Sequence, residues 1–531
     1  MKITDQENTC GVSALQRLQV FLMCVGVALT VFLTPYAALA QKQFAIKGFH
    51  LDLRIQVMKM SALKAFAKEL SANSINTLIM EWEATYPFQK HPVIASKLSY
   101  KRKEIEDFVS YCEGLGIDVI PLQQSFGHVE YILKHYRYRD LREDQKNFSQ
   151  VNPLRESLCK TLFSDLYKDL ISTHRSQYFH IGGDETYLLG SSKESKEKVD
   201  KLGMGRLYGD YIKMLCELVV SLGKTPLVWA DIALKYPDAL KSLPKETIFI
   251  DWNYGWELDR FGDHHKLMES GFEIWGSPAI RSNPDNYFLT DWMKHLENIN
   301  SFIPQARQLG YKGLVMTSWS TSGIYSSVME SHSDLMDQYA IRRVYPISGF
   351  DLSIKAFFQA VKQQEPLDIK QFINNYARDV FGLDEKDRTL FAQALASAPY
   401  EINQGVVSSK GLAVSELRDS AYQAWQTLEN LKVKRNTDKF DHYKLMANIR
   451  YNYLVCMEIE AALNQPSFNQ AAAADALARL HSLNVKDVNK RFNSFNKTLL
   501  YADELETESQ VRNHRYHDLL ARLQKMTGNA K

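Results

Sequence analysis

The sequence predicts an α/β fold: a (β/α)₈ TIM barrel over residues 41–350, followed by a C-terminal α-helical domain over 351–531. Three observations carry this. From Phe44 to about Val344, short runs that are apolar on both faces alternate with amphipathic stretches, the pattern of parallel strands covered by helices. Eight such pairs fit within about 300 residues, which suits a closed barrel better than an open doubly wound sheet. From Gln364 onward no convincing strand occurs, and stretches such as ELRDSAYQAWQTLENLKV carry helical stripes.

In order, the expected strands are FAIKGFHLDL, TLIMEWE, DVIPLQQ, YFHIGGD, PLVWAD, IFIDWNY, EIWGSP and GLVMTSW. The spacing of apolar residues predicts helices over 60–72, 102–115, 153–173, 205–222, 236–243, 259–270 and 290–309, with an eighth over 329–344. In the tail, HYKLMANIRYNYLVCMEIEAAL and the alanine run Ala471–Ala474 favour helix. Gly203, Gly205 and Gly209 follow no strand, so their spacing is not a dinucleotide fingerprint.

A length of 531 residues allows one large and one smaller domain, and 45% hydrophobic content with 24% charge is ordinary for a folded chain. A net charge of +2 gives no attraction to nucleic acid or to an anionic membrane. Arg17, the apolar stretch LQVFLMCVGVALTVFL and the ending Ala38-Leu39-Ala40 read as a signal peptide over 1–40, cleaved before Gln41. The expectation is therefore an exported protein, periplasmic or secreted, with an uncleaved segment as the one route to membrane attachment. Cys112, Cys159, Cys216 and Cys456 remain after cleavage. The first three share helical faces with apolar residues, so buried thiols are expected in preference to disulfides. No metal-ligand spacing occurs, and no metal or cofactor is expected.

Active sites of (β/α)₈ barrels lie at the carboxyl ends of the strands. Those ends carry Asp52, Glu81, Glu83, Gln123, Gln124, Asp184, Glu185, Trp229, Asp231, Asp251, Trp252, Tyr254, Trp275 and Trp319. Tryptophan beside carboxylate suits a sugar: flat apolar surface for its C–H face and acceptors for its hydroxyls. Each tryptophan alone could be core, but four at one end favour a site.

Asp184 and Glu185 follow Gly182-Gly183 at the end of YFHIGGDE. Adjacent strand residues point to opposite faces, and glycines permit the backbone to break that rule. Two clustered carboxyls should titrate apart and leave one protonated. Glycosidases that flank the bond with two carboxyls hold them roughly 5 Å or 6.5–9.5 Å apart, which is awkward for neighbours in sequence. Neighbours suit a substrate whose own 2-acetamido oxygen attacks the anomeric carbon. One acid/base and one carboxylate against the acetamido N–H then suffice. Other D-E pairs, Asp384-Glu385 and Asp503-Glu504, lie in polar helical surroundings.

Here the chain resembles glycoside hydrolase family 20, the β-N-acetylhexosaminidases, and within it the hexosaminidase D branch. The signature His-x-Gly-Gly-Asp-Glu stands at His180 to Glu185. HLDL, IMEWEATYPF, VIPLQQSFGHVEYILKH, PLVWADI, IDWNY and GLVMTSW resemble the family in the same order, over roughly residues 44–345. The resemblance implies a retaining, exo-acting enzyme that releases terminal β-linked GlcNAc or GalNAc from a glycan or glycoconjugate. By it, Glu185 is the general acid/base, Asp184 orients the acetamido group, and His128 supports the acids. Trp229, Trp252 and Trp319 wall the pocket with Trp275 nearby, and Asp52, Glu81 and Glu83 are expected to face the sugar.

Three departures accompany it. Lys47 stands where many members have the arginine of an Arg-Gly pair that grips sugar hydroxyls. The small domain that usually precedes the barrel has no room. The tyrosine for the acetamido oxygen is Tyr254, with Tyr287 a rival. Two other functions fit the same sequence: a glycosidase using separated carboxylates such as Glu83 and Glu185, and an exported glycan-binding protein without turnover.

Overall fold

The computed structural model describes residues 43–528 except 283–284, 286–287, 322–327, 330–337, 340–342, 398–401, 404–405 and 408–410. The expected signal peptide and Tyr287 lie outside the described residues. Phe44–Lys531 is one compact unit.

Strands β1 (Ile46–Asp52), β2 (Thr77–Glu81), β3 (Asp118–Leu122), β4 (Tyr178–His180), β5 (Thr225–Trp229), β6 (Ile248–Trp252) and β7 (Glu273–Ser277) pair in parallel in sequence order. Short β8 (Ala279–Arg281) and long β9 (Gly313–Ser318) follow, and β9 pairs with β1 to close the barrel. β7 and β8 are two halves of one seventh barrel strand. Both pair in parallel with β9, and the Pro278 carbonyl between them accepts the Thr317 N–H at 2.8 Å. The strand thus runs on through Arg281, six residues beyond Trp275.

The strands are buried on both faces, which is why the sequence reads as continuous apolar runs. Inward residues such as Ile79, Ile120, Leu227, Ile250 and Val315 fill the barrel. Outward residues such as Phe49, Leu78, Val119 and Phe249 meet the surrounding helices in a second layer. Six of the expected helices are present as α-helices and 236–243 forms a short 3-10 segment (Pro237–Ser242); a further helix, Lys193–Leu202, sits in the loop after β4.

The expected eighth helix over 329–344 is not formed where the chain is described. Val328–Met329 pairs antiparallel with Gln338–Tyr339, and the remaining residues up to 342 are outside the description. Helix Asp351–Lys362 closes the ring instead. Its Phe357 meets Phe49 of β1 edge-on, and its Ala360 carbonyl accepts from Arg307 of helix Trp292–Gln308 at 2.8 Å. Among the described residues seven further helices follow, from Ile369 to Met526. Cys112, Cys159, Cys216 and Cys456 are unpaired and buried. Burial pushes all four thiols up to about 12, so they behave as small apolar side chains.

Candidate active site

The site grows from the turn after β4. Gly182 and Gly183 take φ of +74° and +96°, and Glu185 itself is left-handed at +46°. A Cβ on Gly182 would stand 1.9 Å from the Gln124 amide oxygen, so only glycine fits both the conformation and the space. On the facing loop, a Cβ on Gly127 would stand 2.6 Å from the Asp184 carbonyl. The two loops therefore touch backbone to backbone. His128 then reaches both acids: its Nε2 lies 3.4 Å from Asp184 Oδ2 and 3.3 Å from Glu185 Oε2. The turn overrides strand alternation and aims neighbouring carboxylates at one point, as the glycine pair predicts.

These groups set one another's charge. Burial opposes a charged His128, but Asp184 and Glu185 outweigh it and hold the imidazole protonated well above its ordinary range. Burial raises Glu185, yet the His128 bond and charge, with a hydrogen bond from Tyr187, bring it below the usual carboxylate value. Tyr187 Oη donates to Glu185 Oε1 at 2.8 Å from an exposed ring. A third carboxyl completes the group. Asp231, two residues past β5, accepts the Glu185 backbone N–H at 3.1 Å. Burial and the neighbouring Asp184 and Glu185 push Asp231 up to about 8. The carboxyl held neutral is thus Asp231, a third acid outside the signature pair, while Glu185 is held down. Asp184 Oδ1 has no hydrogen-bond partner among the described residues, leaving an acceptor for an incoming donor.

Around this point the walls are aromatic. Trp229, the last residue of β5, lies against His180 and Trp319. Trp319, one residue past β9, donates its indole N–H to Tyr254 Oη at 2.8 Å. Trp252 packs on Tyr254, Trp256 and Phe261. Among the described residues Tyr254 is thus placed at the mouth, and its hydroxyl is raised by burial.

Beside the walls lies an acid-lined cation that sequence reasoning missed. Arg54, two residues past β1, holds its Nε 3.1 Å from Asp52 Oδ1, 3.8 Å from Glu83 Oε1 and 3.9 Å from Glu81 Oε1. Its guanidinium lies 5.1 Å from the Trp319 ring centroid. Burial opposes its charge, and Asp52, Glu81 and Glu83 together raise it well above its ordinary value. Glu81 is also bonded to His50 at 3.0 Å and accepts from Gln124 at 3.0 Å. Burial would raise Glu81, but Arg54 and His50 bring it down to about 2. Glu83 goes the other way: burial dominates and raises it well above the carboxylate range. The missed signal was a lone arginine in the apolar segment HLDLR, two residues beyond the recognised Asp52.

Two expected site residues are not brought here. Lys47 is the second residue of β1, at the amino end of the barrel, where its N–H donates to Asn76 Oδ1 at 2.9 Å. Five residues of strand at about 3.3 Å each separate it from Asp52 at the mouth. Arg54 supplies the cation instead. Trp275 is fully buried near the start of the seventh strand, edge-on to Tyr178 at the start of β4. A Cβ on Gly313, the first residue of β9, would stand 2.6 Å from its ring. Trp275 plugs the amino end of the barrel as core. Asp52, Glu81, Glu83, His128, Trp229, Trp252, Tyr254 and Trp319 all meet at the carboxyl end.

Among the described residues no group of three or more His, Cys, Asp or Glu side chains is arranged to hold a metal ion. What the site offers is paired acids, a shared imidazolium and an aromatic wall, a set suited to acid/base work on a sugar.

Comparison with known proteins agrees. Residues 44–320 match the model of "Glycosyl hydrolase family 20, catalytic domain". The chain is 27% identical to hexosaminidase D of Bos taurus over 301 residues, covering 53% of this chain and 86% of that one. It is 26% identical to the Homo sapiens hexosaminidase D over 335 residues, covering 59% of this chain and 68% of that one. A solved β-N-acetylhexosaminidase from Bacteroides fragilis is similar with a TM-score of 0.48 and 15% identity, covering 64% of this chain and 70% of that one. The family match spans just over half of the 531 residues and contains every mouth residue described above; the chain belongs to glycosyl hydrolase family 20 and is a glycoside hydrolase.

Proposed function

We propose that the protein is an exo-acting β-N-acetylhexosaminidase that removes terminal β-linked GlcNAc or GalNAc with retention, using the substrate's acetamido group as nucleophile. The observation that carries this reading is the convergence of Asp184 and Glu185 on one side of the mouth, both within 3.4 Å of His128 Nε2. Carboxylates so close leave no room for a sugar between them. They suit one flank of a substrate that supplies the other reacting group itself.

The acetamido carbonyl oxygen attacks C1 while the C1–O bond to the leaving group breaks. Glu185 delivers a proton to the departing oxygen, and Asp184 accepts the acetamido N–H as positive charge spreads onto the oxazolinium ring. Water then adds at C1 with Glu185 taking its proton while the C1–O bond to the acetamido oxygen breaks and restores the acetamide, and the anomeric configuration is retained. In the resting site two protons face Glu185, on the Tyr187 hydroxyl at 2.8 Å and on the His128 imidazolium at 3.3 Å, and the imidazolium is the stronger acid. Entry of a sugar removes water and favours the neutral pair, shifting that proton to Glu185. Trp229, Trp252 and Trp319 shape the acetamido pocket, Tyr254 donates to the acetamido oxygen, and Arg54 with its carboxylates meets the outer hydroxyls.

A hydrolysis panel tests this: aryl β-GlcNAc, aryl β-GalNAc and aryl β-glucoside. The proposal requires turnover of the acetamido sugars and loss of it in Asp184→Asn; equal turnover of the 2-hydroxy sugar would sink it. We further propose that the protein acts outside the cytoplasm after cleavage before Gln41, on the strength of the apolar segment and the Ala38-Leu39-Ala40 ending. N-terminal sequencing of the mature protein tests that, with Met1 retained as the contrary result.

A further inference from the structure

The helical tail reaches the barrel mouth through one buried polar chain. Helix Ala502–Met526 carries Glu508, which is fully buried, and Glu504, one turn earlier. Both grip Gln56, a buried residue of the loop after β1 with a left-handed φ of +55°. A non-glycine residue takes that conformation at a cost and needs its surroundings to hold it there. The Gln56 N–H donates to Glu504 Oε2 at 2.6 Å, and its Nε2 donates to Glu508 Oε2 at 3.1 Å and to the Val344 carbonyl at 2.8 Å. Its Oε1 accepts from Arg281 Nη1 at 2.8 Å. Turning the amide over would set NH₂ against a guanidinium and oxygen against a carboxylate, so its orientation is forced by its neighbours. Arg343 binds the other Glu508 oxygen.

From Gln56 the chain continues into the mouth by two routes. Along the backbone it is two residues from Arg54. Through Arg281, whose Nε donates to Ser318 Oγ at 3.1 Å, it reaches the strand end that carries Trp319. Ser320 closes the loop, donating its N–H and hydroxyl to Asp52 Oδ2 at 2.9 and 2.7 Å. Asp52 in turn holds Arg54. A buried charge network is weak evidence for added stability; this one ends on a strained residue beside the cation at the mouth.

We propose that Glu508, with Glu504, is a positioning residue: the tail helix holds Gln56 in its left-handed turn and so sets Arg54 and Trp319 where the sugar meets them. The inference rests on the reading of this mouth as the sugar site.

Two full-length variants test it. Glu508→Gln removes the charge and leaves one acceptor oxygen for two donors, Gln56 Nε2 and Arg343 Nη1. Gln56→Gly accepts the left-handed turn without strain and removes only the side-chain links, so it remains informative if Glu508→Gln folds poorly. On an aryl β-N-acetylglucosaminide the expectation for each is a rise in KM of about tenfold with kcat changed less than about twofold. Hydrogen exchange of the segment 53–58 should accelerate in both, whereas Asp503→Asn, at an exposed ion pair with Lys97, should match the wild type in both assays. An unchanged KM in the folded variants, or a loss confined to kcat in proportion to unfolded protein, overturns the proposal. If the wild type cleaves no N-acetylhexosaminide, the functional reading fails, and unaltered exchange at 53–58 then still decides against this inference.

Discussion

Replacing Asp231 by asparagine should make the protein more stable, and increasingly so as pH rises. Asp231 is buried, and burial with Asp184 and Glu185 pushes it up to about 8. In the unfolded chain the group ionises near its ordinary value of 3.8. Between those values the folded state holds a proton that the unfolded state has lost, so stability falls as pH rises through that window. The full gap of about 4 units, at ~1.4 kcal/mol each, sets a ceiling of about 6 kcal/mol by pH 8. Asparagine keeps an oxygen to accept the Glu185 N–H, now at 3.1 Å, and has no proton to lose. Urea unfolding of both proteins from pH 5 to pH 8 should show the variant's advantage growing by about 4 kcal/mol. An advantage that is constant across pH, or that shrinks toward pH 8, refutes the charge assignment.

Glu185→Gln should lose about 10²–10⁴-fold in kcat on glycosides with poor leaving groups and far less on those with good ones; a uniform loss across a leaving-group series contradicts its role as acid. His128→Gln removes the imidazolium that supplies the Glu185 proton in the resting site, so the basic limb of the kcat/KM profile should move to lower pH, and an unmoved limb counts against the coupling. Gly182→Ala forces a Cβ to within 1.9 Å of Gln124 at φ +74°, at a cost of at least about 1 kcal/mol in backbone strain alone; calorimetry should show a lower Tm. Trp275→Phe should cost about 1–3 kcal/mol of stability with KM unchanged, while Trp252→Phe should raise KM; the opposite pattern would return Trp275 to the sugar site.

The barrel was legible because each strand is buried on both faces and therefore reads as a short apolar run. The turn that carries Asp184 and Glu185 was legible because the two glycines are a local requirement: they are needed where the chain itself bends. The rival D-E pairs have ordinary explanations, with Asp384 capping helix Glu385–Ala396 and Asp503-Glu504 in the first turn of the last helix. What failed was depth along a strand. Lys47 and Trp275 lie in the right segments, but a residue's distance from the strand end decides which mouth it faces. Pro278 made the seventh strand look finished when it runs on through Arg281. Arg54 and Asp231 were visible as charges at strand ends, yet their partners come from other strands, and only closure of the barrel brings them together. The closing helix at Asp351–Lys362 could not be told from the tail helices, since both are amphipathic and the difference lies in what they pack on.

The central claim is that the substrate's own acetamido oxygen is the nucleophile. Its most direct test is kcat/KM across aryl β-glucosaminides whose N-acetyl group carries zero, one, two or three fluorines. Fluorine withdraws electrons from the carbonyl oxygen without greatly changing the size of the group. Participation predicts a steep fall in rate at each step, with the trifluoroacetyl substrate slowest and the 2-hydroxy sugar uncleaved. A rate indifferent to fluorination, or cleavage of the 2-hydroxy sugar at the same rate, would show that the protein supplies the nucleophile and that the pairing of Asp184 with Glu185 has another purpose.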